Sequence, residues 1–120
     1  MQAKQLIRLQ TNLVRRNFKL GDIVYNRGDM GDSMFLVDEE IGGKLEVKDD
    51  RGTTAHTLSP GDIFGESSLL FQRPRSSTVI CSSDECHLHE LHASAFYEML
   101  ESDPTTKTVL HAEARQRTWE

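Results

Sequence analysis

The chain has 120 residues, which fits one domain, and its 37% apolar residues are enough for one compact core. Its formal net charge of −5 argues against a general nucleic-acid surface, which needs clustered cations, so we expect no nucleic-acid partner. The longest apolar runs, at residues 34–37 and 69–71, are too short to span a bilayer, and no signal peptide is apparent. Cys81 and Cys86 form neither a disulfide framework nor a CxxC metal site, which favours a reducing compartment.

The chain begins with Leu6, Ile7 and Leu9 at helical spacing, which predicts a short helix over residues 2–10. Short runs rich in Val, Ile, Phe and Thr then alternate with Gly/Asp turns, a pattern typical of an all-β sandwich or barrel. Residues 64–70 differ, because they predict a single helical turn between strands. The candidate strands are residues 13–19, 23–26, 33–38, 43–48, 54–58, 77–82 and 85–91.

Helical spacing returns near the end of the chain, where Phe96, Met99 and Leu100 follow Ser94 as the expected helix cap. The predicted organisation is a single domain over residues 1–120, made of three parts along the chain with no linker between them. These parts are an N-terminal helix at residues 1–12, a β-barrel at residues 13–92 and C-terminal helices at residues 93–120.

The last predicted helix has a clear start but a thin apolar face. Asp103 followed by Pro104 predicts its N-cap and its first helical residue. Leu110, Ala114 and Arg117 would lie on one stripe of this helix. Because so narrow a stripe holds a helix weakly, we expect this helix to move when a ligand binds.

A stretch in the middle of the barrel sequence offers the donors that bind a phosphate. Gly65 allows close backbone approach, and the helical turn there presents N–H groups that small Ser67 and Ser68 leave uncovered. Arg75 can add a planar, bidentate donor to the same phosphate. Glu66 would repel a phosphate unless it met another group, and a ribose hydroxyl is a natural partner. This combination predicts a site for a nucleotide with one negative charge.

The run FGESSLLFQRPRSSTV at residues 64–79 resembles the phosphate-binding cassette of cyclic nucleotide-binding domains. The runs FKLGDIV at residues 18–24 and RGDMGDSMFLV at residues 27–37 are similar to two further motifs of that family. Additional matches at residues 43–47 and 58–66 extend the resemblance to nearly the whole chain. The resemblance implies a mainly β fold, an eight-stranded jelly-roll barrel with flanking helices and a short phosphate-binding helix.

The resemblance also implies roles for individual residues of the cassette. Backbone N–H groups of Gly65 and Ser68, with the Arg75 side chain, would hold the cyclic phosphate. Glu66 would accept a hydrogen bond from the ribose 2′-hydroxyl. Ser76 stands where the family has Ala or Thr, and a hydroxyl there is associated with members that respond to cGMP.

Outside the cassette, the resemblance places Val47, His56 and Leu58 against the purine and brings Arg117 to the base when the last helix closes as a lid. We expect no catalytic residue, no metal and no cofactor besides the nucleotide ligand. The predicted ligand-binding residues are Val47, His56, Leu58, Gly65, Glu66, Ser67, Ser68, Arg75, Ser76, Ser77 and Arg117.

The function implied is a regulatory module that binds cGMP or cAMP, closes a C-terminal helix over the ligand and biases an attached effector. The segment from Pro104 onward resembles the branch of the family found in cyclic nucleotide-gated and hyperpolarisation-activated ion channels. We therefore expect a channel effector, a cytoplasmic position beneath the plasma membrane without direct membrane insertion, and a chain that is part of a larger protein.

Two alternatives remain. A degenerate domain of this fold could act as a protein-interaction or self-liganded element, although the intact acid and arginine of the cassette argue against it. A cupin-like metal-binding protein could use His87 and His89 as ligands. Ala93 and Cys81 stand where cupins carry the required Glu and Gly, so we expect these histidines to face solvent or to pack.

Overall fold

The computed structural model describes residues 2–117 and 119–120. Its strands form two four-stranded antiparallel sheets, ordered β1-β8-β3-β6 and β2-β7-β4-β5, which confirms the predicted mainly β jelly roll with flanking helices. The elements are α1 Ala3–Arg8, β1 Val14–Lys19, β2 Ile23–Tyr25, β3 Ser33–Val37, β4 Leu45–Lys48, β5 Thr54–Leu58, β6 Ile63–Phe64, α2 Glu66–Leu70, β7 Thr78–Cys81, β8 Glu85–His92, α3 Ala93–Ser102 and α4 Pro104–Arg115.

Strand β3 joins the core of the sandwich to the helices outside it. Phe35 and Val37 point into the core between the two sheets, whereas Met34 and Leu36 point outward against the helices. All five residues of the strand are buried, which explains why residues 34–37 are continuously apolar rather than alternating. The core between the sheets comprises Tyr25, Phe35, Val37, Leu45, Val47, Leu58, Phe64, Val79, Cys81, Cys86 and Leu88.

A second apolar cluster packs the flanking helices against the outer face of the sheet that contains β3. Ile7 of α1, Phe96 of α3 and Leu110 of α4 belong to it, and each is at most 1% exposed. The N–H of Ala3 donates to the Glu113 carboxylate at 3.1 Å, so α4 also satisfies a free donor at the start of α1. The longest helix, α4, has 12 residues, and no helix in the described residues is long and apolar enough to cross a membrane.

The C-terminal helices differ from prediction at two points. Helix α3 begins directly after β8 with His92 as its N-cap, so Ser94 lies inside the first turn and not at the cap. Helix α4 starts as predicted, with the Asp103 side chain accepting from the Thr105 N–H at 3.1 Å. It ends at Arg115, however, so Arg117 lies beyond the helix and does not continue its buried stripe.

Strand β6 was not among the predicted strands. It consists of Ile63 and Phe64 alone, and two residues are too few to show an alternating pattern. The register pairs Phe35 with Phe64 across β3 and β6, and their rings stack with centroids 5.2 Å apart. This pairing fixes where the chain leaves the sheet and turns into α2.

Candidate functional site

The turn from β6 into α2 is left-handed at Gly65, where φ is +85°. A side chain there would be strained, and its Cβ would lie 2.9 Å from Nη1 of Arg75. The N–H groups of Gly65 and Ser67 both donate to Oε1 of Glu120, at 2.7 and 3.3 Å. The turn therefore holds an anion through backbone amides, although the prediction had paired Gly65 with Ser68 rather than with Ser67.

Arg75 lies against the same turn and is only 5% exposed. Its Nη1 donates to the Gly65 carbonyl at 2.6 Å and to Oγ of Ser68 at 2.7 Å, and its Nη2 donates to the Ser33 carbonyl at 2.6 Å. Its Cζ stands 4.1 Å from the centre of the Tyr25 ring, a cation–π contact. The structure thus brings together the arginine and the glycine turn that the sequence singled out.

Glu66 is the first residue of α2 and is 1% exposed. Its Oε1 accepts from the guanidinium of Arg117, whereas its Oε2 accepts no hydrogen bond from any residue that the structure describes. Burial, and next the neighbouring Glu120 carboxylate, raises the pKa of Glu66 well above its usual range, and Arg117 opposes them. A buried carboxylate oxygen without a donor is costly, so a ligand hydroxyl at Oε2 would be favoured.

The residues predicted to contact the purine lie on β4 and β5. Val47 and Leu58 are fully buried in the core between the sheets, and Val47 pairs with His56 across the two strands. The ring of His56 stacks on the indole of Trp119, with centroids 4.4 Å apart and planes 3° apart. A cavity of about 440 Å³ adjoins this stack, and Arg117 also contributes to its lining.

The two cassette serines beyond Arg75 have different surroundings. Ser76 is exposed and lines the small space around the amides of the turn, whereas Ser77 is 5% exposed. The free volume of that space is about 10 Å³, because the Glu120 side chain occupies it. Of the predicted ligand residues, five line this space, three line the adjoining cavity and Val47 belongs to the barrel core, whereas Glu66 and Ser77 line neither space. The first five are Gly65, Ser67, Ser68, Arg75 and Ser76, and the next three are His56, Leu58 and Arg117.

Sequence reasoning missed Tyr25, Ser33, Trp119 and Glu120 as residues of the site. The Ser33 carbonyl and the Tyr25 ring act through backbone position and stacking, which leave no motif in the sequence. Trp119 did leave a signal, since it is the single tryptophan of the chain and follows a polar helix end. A large aromatic residue in such a setting indicates a docking contact.

The histidines of β8 interact with neighbouring side chains. Nδ1 of His87 lies 2.8 Å from Oδ1 of Asn17, and Nε2 of His89 lies 2.8 Å from Oδ1 of Asp38. A backbone hydrogen bond from Ile41, followed by the contact with His89, lowers the pKa of Asp38 to about 2. Among residues 2–117 and 119–120, no group of three or more His, Cys, Asp or Glu side chains is arranged to hold a metal ion.

The family model for the cyclic nucleotide-binding domain matches residues 15–103, which is more than half of the chain. The chain therefore belongs to the cyclic nucleotide-binding domain family. The match includes both β3 and the whole cassette that carries Gly65, Glu66 and Arg75.

Among the relatives, the chain is 34% identical over 96 residues to an uncharacterised ABC transporter ATP-binding protein of Mycobacterium tuberculosis, covering 79% of this chain and 29% of the relative. It is 27% identical over 100 residues to the cAMP-dependent protein kinase type II regulatory subunit of Drosophila melanogaster, covering 83% of this chain and 26% of the relative. The catabolite activator protein of Thermus thermophilus superposes with a TM-score of 0.75 at 26% identity, covering 96% of this chain and 51% of that one. The chain thus spans less than a third of the length of these curated relatives.

Proposed function

We propose that this chain is a regulatory module that binds cAMP or cGMP. The observation that carries the proposal is the joint arrangement at one turn: two backbone amides hold an anion, Arg75 lies against them, and Glu66 presents a free carboxylate oxygen. An anion site beside a hydroxyl acceptor matches a cyclic nucleotide, whose phosphate carries one negative charge and whose ribose keeps its 2′-hydroxyl. Family membership and the name of the fly relative support the same ligand class.

In the bound state, the cyclic phosphate takes the position that the Glu120 carboxylate occupies on Gly65 and Ser67. The guanidinium of Arg75 supplies the positive charge beneath it. The ribose 2′-hydroxyl donates to Oε2 of Glu66, and this hydrogen bond satisfies the buried acceptor.

The base enters the cavity beside β5 and packs on the side of the barrel formed by Val47, His56 and Leu58. Stacking of a purine on an aromatic ring needs no specific hydrogen bond, so this face accepts adenine and guanine alike. Ser76 is exposed next to the phosphate position, and its hydroxyl is available to the amino group of a guanine.

Binding would be transmitted through the second apolar cluster, which packs the flanking helices against the sheet that contains β3. Leu69 of α2 and Leu110 of α4 belong to that cluster, and the hydroxyl of Tyr97 on α3 donates to the Leu69 carbonyl at 2.9 Å. A ligand that holds α2 in a new position therefore changes the packing of both C-terminal helices. Because the closed form makes more contacts with the ligand, binding shifts an existing equilibrium between open and closed forms.

The identity of the effector that this module would regulate also belongs to the proposal. Kinase regulatory subunits and an ABC transporter ATP-binding protein are among the relatives, so the domain occurs in proteins of different activities. The ion-channel effector and the cytoplasmic position beneath a membrane that the sequence predicts remain predictions. In this proposal the chain itself breaks no bond and acts only by binding.

The alternative of a degenerate, self-liganded domain is favoured by one observation, the Glu120 carboxylate on the amides of the turn. The two functions differ in whether a cyclic nucleotide displaces that carboxylate.

Isothermal titration calorimetry with cAMP, cGMP and the open-chain 5′-AMP tests the proposal. We expect one site with a Kd near or below about 10 µM for a cyclic nucleotide, about −7 kcal/mol, and much weaker binding of 5′-AMP. Absence of binding of both cyclic nucleotides at about 1 mM would support the degenerate alternative.

A further inference from the structure

We propose that Arg117, Trp119 and Glu120 form a built-in competitor that fills the nucleotide site when it is empty and leaves when the nucleotide binds. The inference rests on the proposed function, since it names what the cyclic nucleotide must displace. We call these three residues the docked segment.

The first contact of the docked segment is at the phosphate position. Oε1 of Glu120 accepts from the amides of Gly65 and Ser67, and the backbone oxygen of Glu120 accepts from Nη2 of Arg73 at 3.2 Å. A carboxylate has the charge and the planar oxygens that such amides prefer. Since only about 10 Å³ remains free around it, the carboxylate and a phosphate exclude each other.

The second contact is at the base position. The indole of Trp119 lies nearly parallel to the ring of His56 and packs against the core between the sheets. A flat, bicyclic aromatic ring has the size and the stacking surface of a purine. A purine on His56 therefore requires that Trp119 move away.

The third contact is with Glu66, the residue proposed to bind the ribose. The guanidinium of Arg117 donates to Oε1 of Glu66 and, at 3.0 Å, to Oε2 of Glu120. It also stands 5.4 Å from the centre of the Trp119 ring, so the segment is held together internally. One short segment thus places an anion at the phosphate position, an aromatic ring at the base position and a hydrogen-bond donor on Oε1 of Glu66, the carboxylate whose other oxygen would meet the ribose.

Competition of this kind weakens apparent nucleotide binding, because the observed Kd equals the Kd of the free site divided by the fraction of molecules in which the site is free. Because the docked segment begins one residue after the C-cap of α4, its release also frees the end of that helix to take the closed position over the nucleotide. Nucleotide binding and release of the segment are then one event. The segment therefore raises the nucleotide concentration at which half of the sites are occupied.

The test combines calorimetry with the fluorescence of Trp119, the single tryptophan of the chain. In Glu120→Ala without nucleotide, we expect Trp119 emission to shift to longer wavelength, as it should in the wild-type protein after nucleotide is added. We expect Glu120→Ala and Trp119→Ala to bind the cyclic nucleotide at least threefold more tightly than wild type. The matched control, Glu98→Ala on the exposed face of α3, removes the same charge and should leave affinity and emission unchanged.

The outcomes separate the inference from the function on which it rests. Binding by the variants alone, or tighter binding by them, supports the competitor. If wild type binds and Glu120→Ala binds equally or more weakly, with Trp119 emission unmoved by nucleotide, the competitor is excluded while the proposed function stands. If neither wild type nor the variants bind a cyclic nucleotide, the proposed function itself is wrong, and the competitor is rejected with it.

Discussion

The backbone of Gly65 is held on both sides: its carbonyl accepts from Arg75 at 2.6 Å, while its N–H donates to the carboxylate of Glu120 at 2.7 Å. The arginine therefore does two things at once. It anchors the carbonyl of the residue whose N–H meets the anion, and its positive charge lines the same small space as that anion. The glycine and the arginine form one unit in this site, and the predictions below treat them together.

The first prediction concerns Arg75→Ala. We expect it to weaken cyclic nucleotide binding by about 2–5 kcal/mol, because the phosphate charge would remain buried without its partner. The carbonyls of Gly65 and Ser33 would also lose a donor, so the free energy of unfolding should fall by about 1–3 kcal/mol. Calorimetry and urea unfolding measure the two effects, with exposed Arg51→Ala as the control. An unchanged Kd would show that the phosphate lies elsewhere.

The second prediction concerns Glu66→Gln and the ribose. In wild type, replacing the cyclic nucleotide by its 2′-deoxy analogue should reduce affinity by about 1.5–3 kcal/mol, the contribution of a hydrogen bond to a charged group. In Glu66→Gln the same replacement should have a smaller effect, because the charged acceptor is gone. Competition titrations with both ligands on both proteins measure this difference. Equal losses in the two proteins would remove Glu66 as the ribose acceptor.

The third prediction concerns base selectivity. Ser76→Ala removes an exposed hydroxyl beside the phosphate position and should lower affinity for cGMP more than affinity for cAMP. The ratio of the two dissociation constants is the quantity to compare with wild type. A parallel change in both constants would argue that Ser76 has no part in recognising the base.

The fourth prediction separates backbone strain from ligand contact. Gly65→Ala and Gly52→Ala both place a side chain at positive φ, +85° and +77°, and each should cost about 1–2 kcal/mol of stability. Only at Gly65 does the new Cβ approach Arg75, whereas nothing lies within 4 Å at Gly52. Gly65→Ala should therefore also weaken nucleotide binding, and Gly52→Ala should not. Identical affinities in the two variants would contradict the proposed position of the phosphate.

The fifth prediction concerns acid stability. The folded pKa of Asp38 is about 2, below the usual value of 3.8, so the ionised carboxylate stabilises the fold above about pH 4. That contribution is lost as the pH falls from about 4 through 2. Asp38→Asn should be less stable than wild type at pH 6, and the difference should shrink by pH 2. Urea unfolding at several pH values tests this, with Asp50→Asn in an exposed turn as the control.

The sequence was informative where chemistry is carried by a motif. Gly65, Glu66 and Arg75 were identified from residue type and spacing, and the structure brings their groups to one turn. It was less informative where a contact depends on tertiary placement. Arg117 was expected on the helical stripe of Leu110 and Ala114, but α4 ends two residues before it and the side chain contacts Glu66 in this structure. Its contact with the base stays a prediction.

The docked segment could not be predicted because its contacts with the turn, with Glu66 and with His56 all join residues far apart in the sequence. Glu120 lies 55 residues from Gly65 in the sequence, and a glutamate after a helix carries no signal that it will act as an anion for distant amides. Strand β3 is a similar case, because its side chains point alternately into the core between the sheets and into the second apolar cluster. A run of buried residues in the sequence shows that both faces of a strand are covered, but it does not show which residues cover each face.

The central claim is that a cyclic phosphate binds the amides of Gly65 and Ser67. The most direct test is a two-dimensional ¹H–¹⁵N NMR titration of the chain with cAMP and with cGMP, following the amide signals of these two residues. The account predicts that both signals move on saturation, together with the indole signal of Trp119, while the amide of Gly52 stays in place. Binding with the Gly65 and Ser67 signals unmoved would contradict the claim.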